Sequence, residues 1–118
     1  MAQIGGYLTP QDHRRFKIYA STFHVAESAL LTLLIMREVR CGRLGDLVPH
    51  YSYAGPLRER SRVTARIKEA GLKQKFGELA CVANISPDQA VTVLMRAELA
   101  EKWLDHAVEL NKNILEST

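Results

Sequence analysis

Residues 62–68 read RVTARIK, and polar and apolar side chains alternate along this stretch without interruption. Alternate residues of a β-strand point to opposite faces, so the pattern predicts a strand with one apolar and one polar face. The apolar face would carry Val63, Ala65 and Ile67, and the polar face Arg62, Thr64, Arg66 and Lys68. A single strand of this length is not stable in water. The rest of the chain must therefore supply a partner strand and a helical layer to cover the apolar face.

The sequence also repeats itself at a spacing of sixty residues. This shift aligns Phe16, Ala20, Thr32, Leu34 and Glu38 with Phe76, Ala80, Thr92, Leu94 and Glu98. The predicted elements follow the same order in both copies, which favours an internal repeat. The partner strand is then residues 3–8, QIGGYL, at an offset of fifty-nine from RVTARI. Its apolar face would carry Ile4, Gly6 and Leu8, and its polar face Gln3, Gly5 and Tyr7.

Each strand precedes two predicted helices. In the second copy, an apolar stripe predicts a helix from about Ala70 to Ala83, and Ser86 and Pro87 are suited to begin a second, long helix that continues into the C-terminus. In the first copy, Pro10 opens one helix and residues 30–40 form another. Residues 42–60 are rich in glycine and proline and are predicted to be a connecting loop.

These elements predict an α+β fold, mostly α, with one two-stranded antiparallel ribbon on a base of four helices. The length of 118 residues predicts a single domain, 1–118, with repeat one at about 2–41, a connecting loop at 42–60 and repeat two at about 61–115. Both strands lie in one chain, so we expect a monomer that forms its own ribbon.

Positive charge is concentrated near the second strand. The net charge is only +3, but residues 58–75 contain seven of the sixteen Lys and Arg residues and only two acidic ones, Glu59 and Glu69. A basic block on an ordered element favours a polyanionic partner over a merely solvated surface. The longest apolar run is too short for a membrane span, and no signal peptide is recognised. Cys41 and Cys81 are interpreted as reduced residues in or near the core, which suits the cytoplasm.

A strand with alternating basic residues, followed by a helix, a turn and a capped helix (FGELA…NISPDQAV), resembles the ribbon-helix-helix family of DNA-binding proteins. That resemblance implies a bacterial protein that inserts an antiparallel ribbon into the major groove of double-stranded DNA. The family normally forms this ribbon from two chains, so this chain resembles a fused pseudo-dimer. Its two halves are also similar to the T-DNA transfer enhancers of Agrobacterium tumour-inducing plasmids. This second resemblance implies binding at the border or overdrive region, in support of the relaxase and its relaxosome partners.

The outward residues of the ribbon are the predicted reading residues. Arg62 and Arg66 can each donate two hydrogen bonds to guanine, and Thr64 can contact a base edge or a thymine methyl group. On the other strand lie Gln3, Gly5 and Tyr7, of which Gln3 could read adenine and Tyr7 could bind a phosphate or a base. A glycine in a strand often marks the close approach of another backbone, and DNA is one candidate here. Because the two strands differ chemically, the preferred DNA site should be an imperfect repeat.

Phosphate contacts are predicted at the start of each second helix, where free N–H groups and the helix dipole attract anions. In the second copy these positions are Ser86 and Asp88, and in the first copy Ala26, Glu27 and Ser28. Since Asp88 and Glu27 would repel a phosphate, backbone donors are expected to make the contacts, supported by Lys68 and Lys73.

Other functions have less support in the sequence. His13, His24, His50 and His106 lack zinc-site spacing, so no metal or cofactor is expected. No base is recognisable for a nucleophilic Ser61, so neither an enzyme nor a small-molecule substrate is expected. The alternative is a protein-interaction adaptor, or an antitoxin-like regulator, that docks a partner through its last helix. Its exposed apolar residues would be Leu110, Ile114 and Leu115.

Overall fold

The two predicted strands pair with each other. The computed structural model describes residues 2–69 and 71–116, with side-chain surroundings as far as residue 110. Within that part, β1 (Ala2–Leu8) runs antiparallel to β2 (Ser61–Ile67), in a register that places Gln3 opposite Arg66, Gly5 opposite Thr64 and Tyr7 opposite Arg62. The predicted pairing of residues 3–8 with 62–67 is confirmed.

Helices make up the rest of the regular structure. In chain order after β1 come α1 (Pro10–Ser21), α2 (Glu27–Cys41) and α3 (Leu44–Tyr51), and after β2 come α4 (Leu72–Val82), α5 (Pro87–Glu101) and α6 (Trp103–Glu116). The predicted α+β class with mostly helical content is confirmed for the described residues. The two halves therefore share one order of elements, a strand followed by three helices. The predicted base of four helices is wrong, because each half has a third helix.

The inner face of the ribbon lies on the helices and forms part of one continuous core. Ile4, Leu8, Val63, Ala65 and Ile67 are all buried, as the alternation predicts. Beneath them lie the buried apolar residues of the helices, notably Phe16, Phe76, Leu34 and Leu94. Burial of these large apolar side chains is the main stabilising contribution to such a fold.

Helix α5 packs tightly against β1 at Gly6. A Cβ atom added to Gly6 would lie 2.7 Å from Val91 Cγ1 and 2.8 Å from the carbonyl oxygen of Asp88. The backbone that approaches Gly6 is therefore α5 of the same chain, and not DNA as the strand glycines suggested. At the next residue, Thr92 Oγ1 donates to the Tyr7 carbonyl (2.7 Å) and accepts the Tyr7 N–H (3.2 Å).

Turns sixty residues apart have matching backbone geometry. His24 and Asn84 both have positive φ angles, 59° and 62°. The N-caps of α2 and α5, Ala26 and Ser86, are both extended. At the other ends of these helices, Gly42 and Lys102 are both left-handed, and each donates its N–H over 2.8 Å to the carbonyl of Glu38 or Glu98.

The same two glutamates connect each helix to the next one. Both are buried, and Glu38 Oε2 accepts the Leu44 N–H (2.9 Å) while Glu98 Oε2 accepts the Leu104 N–H (2.8 Å). Glu98 also accepts a hydrogen bond from Tyr19 Oη (2.7 Å). Burial, together with this bond to a carboxylate, raises the pKa of Tyr19. Each buried carboxylate therefore fixes the start of the helix that follows the left-handed turn.

Two predictions about the elements are wrong. Residues 44–51 of the supposed loop form α3, because Leu44 and Leu47 are buried against the core and Leu44 is held by Glu38. The long last helix is interrupted at Lys102, where the left-handed residue separates α5 from α6.

Smaller differences concern α4 and the cysteines. Helix α4 begins at Leu72, and Ala70, the predicted start, lies outside the described residues. Cys41 and Cys81 are exposed rather than near the core, because they lie on the outer sides of α2 and α4. None of the described helices is long and apolar enough to cross a membrane.

Candidate nucleic-acid interface

The outer face of the ribbon consists of three cross-strand rows. Gln3 and Arg66 form the row at one end, Gly5 and Thr64 the central row, and Tyr7 and Arg62 the row at the other end. Gln3, Arg62 and Arg66 are exposed, Thr64 and Tyr7 are half-buried, and Gly5 is buried. The structure thus brings all six predicted reading residues together on one face. At about 3.3 Å per residue, the two end rows are about 13 Å apart.

Arg62 lies across this face rather than extending away from it. Its Nη1 donates to Tyr7 Oη (3.1 Å), and its Nε donates to Thr64 Oγ1 (3.3 Å). The guanidinium covers Gly5, where an added Cβ would lie 2.8 Å from Arg62 Nη2. Gly5 is therefore buried by a flexible side chain of the same face. The Tyr7 hydroxyl, which was predicted to bind a phosphate or a base, already accepts a hydrogen bond from Arg62.

Arg60 belongs to the same cluster, although the sequence did not single it out as a reading residue. The Arg60 guanidinium carbon lies 4.8 Å from the centroid of the Tyr7 ring, and that of Arg62 lies 5.3 Å away. Two guanidinium groups beside one aromatic ring are an arrangement that anions stabilise, because cation–π contacts only partly compensate for the repulsion between them. The signal available in the sequence was the basic block at 58–75.

The cations of the ribbon do not take part in the ion pairs formed by the described residues. Those pairs involve His13, Arg15, Arg37, Arg43 and Arg96 as the basic partners. Arg62, Arg66 and Lys68 are exposed and lack a carboxylate within ion-pair distance in that part of the chain. The outer face consequently keeps its positive charge, which raises the local concentration of polyanions.

The two predicted supporting lysines occupy different places. Lys68 follows β2 directly and lines a surface cleft together with Arg66. Lys73 is exposed in the first turn of α4, after the left-handed Gly71. Lys68 is thus adjacent to the reading face, whereas Lys73 lies on the following helix.

The start of α5 offers fewer free donors than the sequence suggested. At α5, Ser86 Oγ accepts the Gln89 N–H (3.2 Å) and the Ser86 N–H donates to Gln89 Oε1 (3.0 Å), which is a complete capping box. Asp88 is exposed beside it. At α2, Ala26 provides no side-chain cap, and Ser28 is exposed. The start of α2 therefore has more uncapped backbone N–H groups than the start of α5.

Glu27 is occupied by a contact that the sequence did not reveal. Its Oε2 lies 2.8 Å from His13 Nε2, and His13 Nδ1 contacts Ser61 Oγ at the start of β2. Ser61 thus has a histidine neighbour after all, but neither residue lines the clefts beside the ribbon. The contact joins α1, α2 and β2, and its residues are too far apart in sequence for any spacing rule to find them.

Within the described part of the chain, no group of three or more His, Cys, Asp or Glu residues is arranged to hold a metal ion.

Comparison with known proteins adds no further assignment. No protein-family model matches the chain, and no curated protein or solved structure matches it significantly.

Proposed function

We propose that this chain binds double-stranded DNA by inserting its two-stranded ribbon into the major groove. The observation that carries the proposal is the outer face of the ribbon, where exposed arginines at both ends retain their charge. The major groove is wide enough for such a ribbon, and arginine is the side chain best suited to guanine there. The two end rows, about 13 Å apart, would reach bases separated by about four base-pair steps.

We further propose that the chain is a tandem ribbon-helix-helix protein, a pseudo-dimer in one chain. Two pairs of corresponding features support this proposal. They are the left-handed turns at His24 and Asn84, and the buried glutamates Glu38 and Glu98. Pseudo-symmetry would exchange Arg62 with Gln3 and Arg66 with Tyr7. One end of the ribbon would then read with Tyr7 and Arg62 and the other with Gln3 and Arg66, so the two half-sites should differ.

The proposed biological setting follows from the resemblance to T-DNA transfer enhancers. In that setting the chain is a monomeric, non-enzymatic protein of the bacterial cytoplasm, without a cofactor. It would bind a border or overdrive sequence on plasmid DNA and support nicking by the relaxase. A footprint on border and overdrive duplexes tests this setting separately from DNA binding itself.

The test of DNA binding compares three arginine-to-alanine variants. Arg62→Ala and Arg66→Ala should each weaken binding to the preferred duplex by about 1–3 kcal/mol and relax the preference at one base. Arg40→Ala is the matched control, because Arg40 is exposed in the last turn of α2, about 12 Å along the helix from Thr32 beside the ribbon. The readout is a binding titration with specific and scrambled duplexes, with thermal melts to verify folding. Unchanged affinity in folded Arg62→Ala and Arg66→Ala variants would refute the proposal.

One observation favours a second candidate, a protein-docking adaptor. Trp103, Val108 and Leu110 of α6 are exposed, as the alternative requires at Leu110, while the side chains of Ile114 and Leu115 lie outside the described residues. A docking module would bind duplex DNA no better than background, so the same titration separates the two candidates.

A further inference from the structure

Two clefts flank the ribbon, and they are built from corresponding residues. The first, called here the covered cleft, lies beside β1 and is lined by Gln89, Thr92 and Val93 of α5. The second, called here the open cleft, lies beside β2 and is lined by Ala29, Thr32 and Leu33 of α2. Each residue of the second set precedes its counterpart in the first set by sixty positions. The volumes are about 330 Å³ for the covered cleft and about 530 Å³ for the open cleft.

The connection between the two halves covers part of the covered cleft. Tyr53 and Leu57 line it beside α5. Tyr53 is anchored, because its Oη accepts the Thr9 N–H (3.1 Å) and donates to Asp12, and the Arg96 guanidinium carbon lies 4.1 Å from its ring centroid. Val93, on the floor of this cleft, is only 1% exposed.

The open cleft has no such cover among the described residues. Leu33, the counterpart of Val93, is 42% exposed. Met36 occupies the position that corresponds to Arg96, so the cation that holds Tyr53 in the other half is replaced here by an apolar side chain. An apolar floor of this kind gains stability when another apolar side chain covers it.

Among the described residues, no further strand pairs with the edge of β2 beside the open cleft. Thr92 contacts the main chain of Tyr7, so the Tyr7–Arg62 row is one whose backbone groups point away from the partner strand. Hydrogen-bonded and non-hydrogen-bonded residue pairs alternate along an antiparallel ladder, and Gln3–Arg66 lies four pairs from Tyr7–Arg62, so it is of the same type. The N–H and C=O of Arg66 therefore point outward beside the open cleft. Thr32, the counterpart of Thr92, donates to the Ser28 carbonyl of its own helix (2.9 Å) and does not close this edge.

We propose that the open cleft docks an extended segment of a partner protein that carries an apolar or aromatic residue next to acidic residues. The segment would pair its main chain with Arg66 at the edge of β2, which is the β-augmentation mode of peptide recognition. Its apolar side chain would cover Leu33 and Met36, as Tyr53 and Leu57 cover the other cleft. Its acidic residues would face Arg66 and Lys68, which outnumber the one acidic lining residue, Glu69. This inference does not depend on the proposed DNA binding.

A peptide with the sequence of the chain's own cover segment tests the proposal. The probe is residues 52–57 (SYAGPL) preceded by two glutamates and a fluorescent label, titrated into the complete 118-residue chain. We expect saturable binding, with amide chemical-shift changes concentrated at Thr32, Leu33 and Arg66. Because the shift map uses the unmodified chain, it does not depend on how any variant folds.

Two matched substitutions and one control peptide locate and characterise the site. Leu33→Glu should weaken binding of the acidic peptide about tenfold or more, because it removes the apolar floor and repels the glutamates. Val82→Glu makes the same change at an 83% exposed position outside the open cleft and should leave affinity unchanged. A peptide with two lysines in place of the glutamates should bind more weakly than the acidic one.

Several results would overturn the proposal. These are the absence of saturable shifts at the open cleft, equal effects of Leu33→Glu and Val82→Glu, and equal affinity for the lysine peptide. Sedimentation of the unmodified chain provides one more. If it forms a dimer that Leu33→Glu dissociates, the cleft is covered by a second copy of the chain and not by a partner segment.

Discussion

Two buried glutamates define the ends of the second helix in each half. Glu38 is 2% exposed and Glu98 is 1% exposed, yet neither stabilises the fold by burial of apolar surface. Each accepts the N–H of the residue six positions later, across a left-handed turn. The repeat made both glutamates visible in the sequence. Their role was not visible, because a carboxylate at this position acts on a backbone group whose location depends on the turn between them.

The pKa of Glu38 gives a prediction at the same scale. Burial raises this pKa, against the opposing effects of the Leu44 N–H and of Arg37. A carboxyl group whose pKa is higher in the folded state than in the unfolded state destabilises the fold when it is ionised. The free energy of unfolding therefore falls as the pH rises from the ordinary pKa of about 4.3 through the folded-state pKa. Glu38→Gln keeps an acceptor for Leu44 without the charge. At pH 7 it should be at least as stable as the parent, and the difference should shrink on acidification.

Glu38→Ala provides the contrast, because it leaves the buried Leu44 N–H without an acceptor. It should lower the free energy of unfolding by about 1–3 kcal/mol. Urea unfolding of the parent and both variants between pH 4 and pH 7 measures both effects, since the difference between parent and Glu38→Gln isolates Glu38 from other titrating groups. If Glu38→Gln is as destabilising as Glu38→Ala, the charge itself is required and this account is wrong.

At the scale of the elements, adjacent glycines in β1 have opposite roles. Gly6 faces α5, and an added Cβ would meet a Val91 methyl group and the backbone oxygen of Asp88, neither of which can move freely. Gly5 faces outward, and the three atoms nearest to an added Cβ all belong to the flexible guanidinium of Arg62. We predict that Gly6→Ala lowers the free energy of unfolding by about 1–3 kcal/mol by forcing β1 away from α5. Gly5→Ala should change stability little but displace Arg62 and alter DNA affinity.

Urea unfolding of the two variants, followed by a DNA titration of the stable one, tests this distinction. Equal losses of stability would show that the ribbon does not tolerate any side chain at these positions, and that α5 is not the cause. The sequence alone could not separate the two glycines beyond their face, because the packing distance between β1 and α5 is set by residues eighty or more positions away.

The elements themselves were predictable where a periodic pattern dominated. Alternation located β2, and the repeat then located β1, although Gly5 and Gly6 are poor strand formers. Helix α3 was missed because Gly42, Gly45 and Pro49 indicate a loop. Its apolar residues, Leu44, Leu47, Val48 and Tyr51, nevertheless follow the i, i+3, i+4, i+7 spacing of an amphipathic helix. The break at Lys102 had no comparable signal, since lysine rarely adopts a left-handed conformation.

At the scale of the whole molecule, the distribution of charge matters more than its total. A net charge of +3 does not distinguish this chain from many others. The ion pairs among described residues neutralise cations on and between the helices, such as Arg37 with Glu98 and Arg43 with Glu101, and leave the ribbon cationic. The alternation predicted which cations share a face. It did not predict which ones remain unpaired, because Arg37 and Arg43 meet glutamates about sixty residues away.

This distribution predicts how salt should affect DNA binding. Each phosphate contacted by a cation releases counterions, so the logarithm of the association constant should fall linearly with the logarithm of salt concentration, by about 0.9 per contact. Lys68 follows the last residue of β2 and lies outside the three rows of the outer face, so we expect it to contact phosphate. Lys68→Ala should therefore weaken binding to all duplexes alike and reduce the slope by about 1. Arg66→Ala should instead weaken the preferred duplex most. Titrations at several salt concentrations with preferred and scrambled duplexes measure both quantities. The opposite result would be that Lys68→Ala changes base preference while Arg66→Ala lowers the affinity for all duplexes uniformly. In that case Lys68 reads the sequence and Arg66 only contacts the DNA backbone. The ribbon would then lie in the groove with its opposite edge inward.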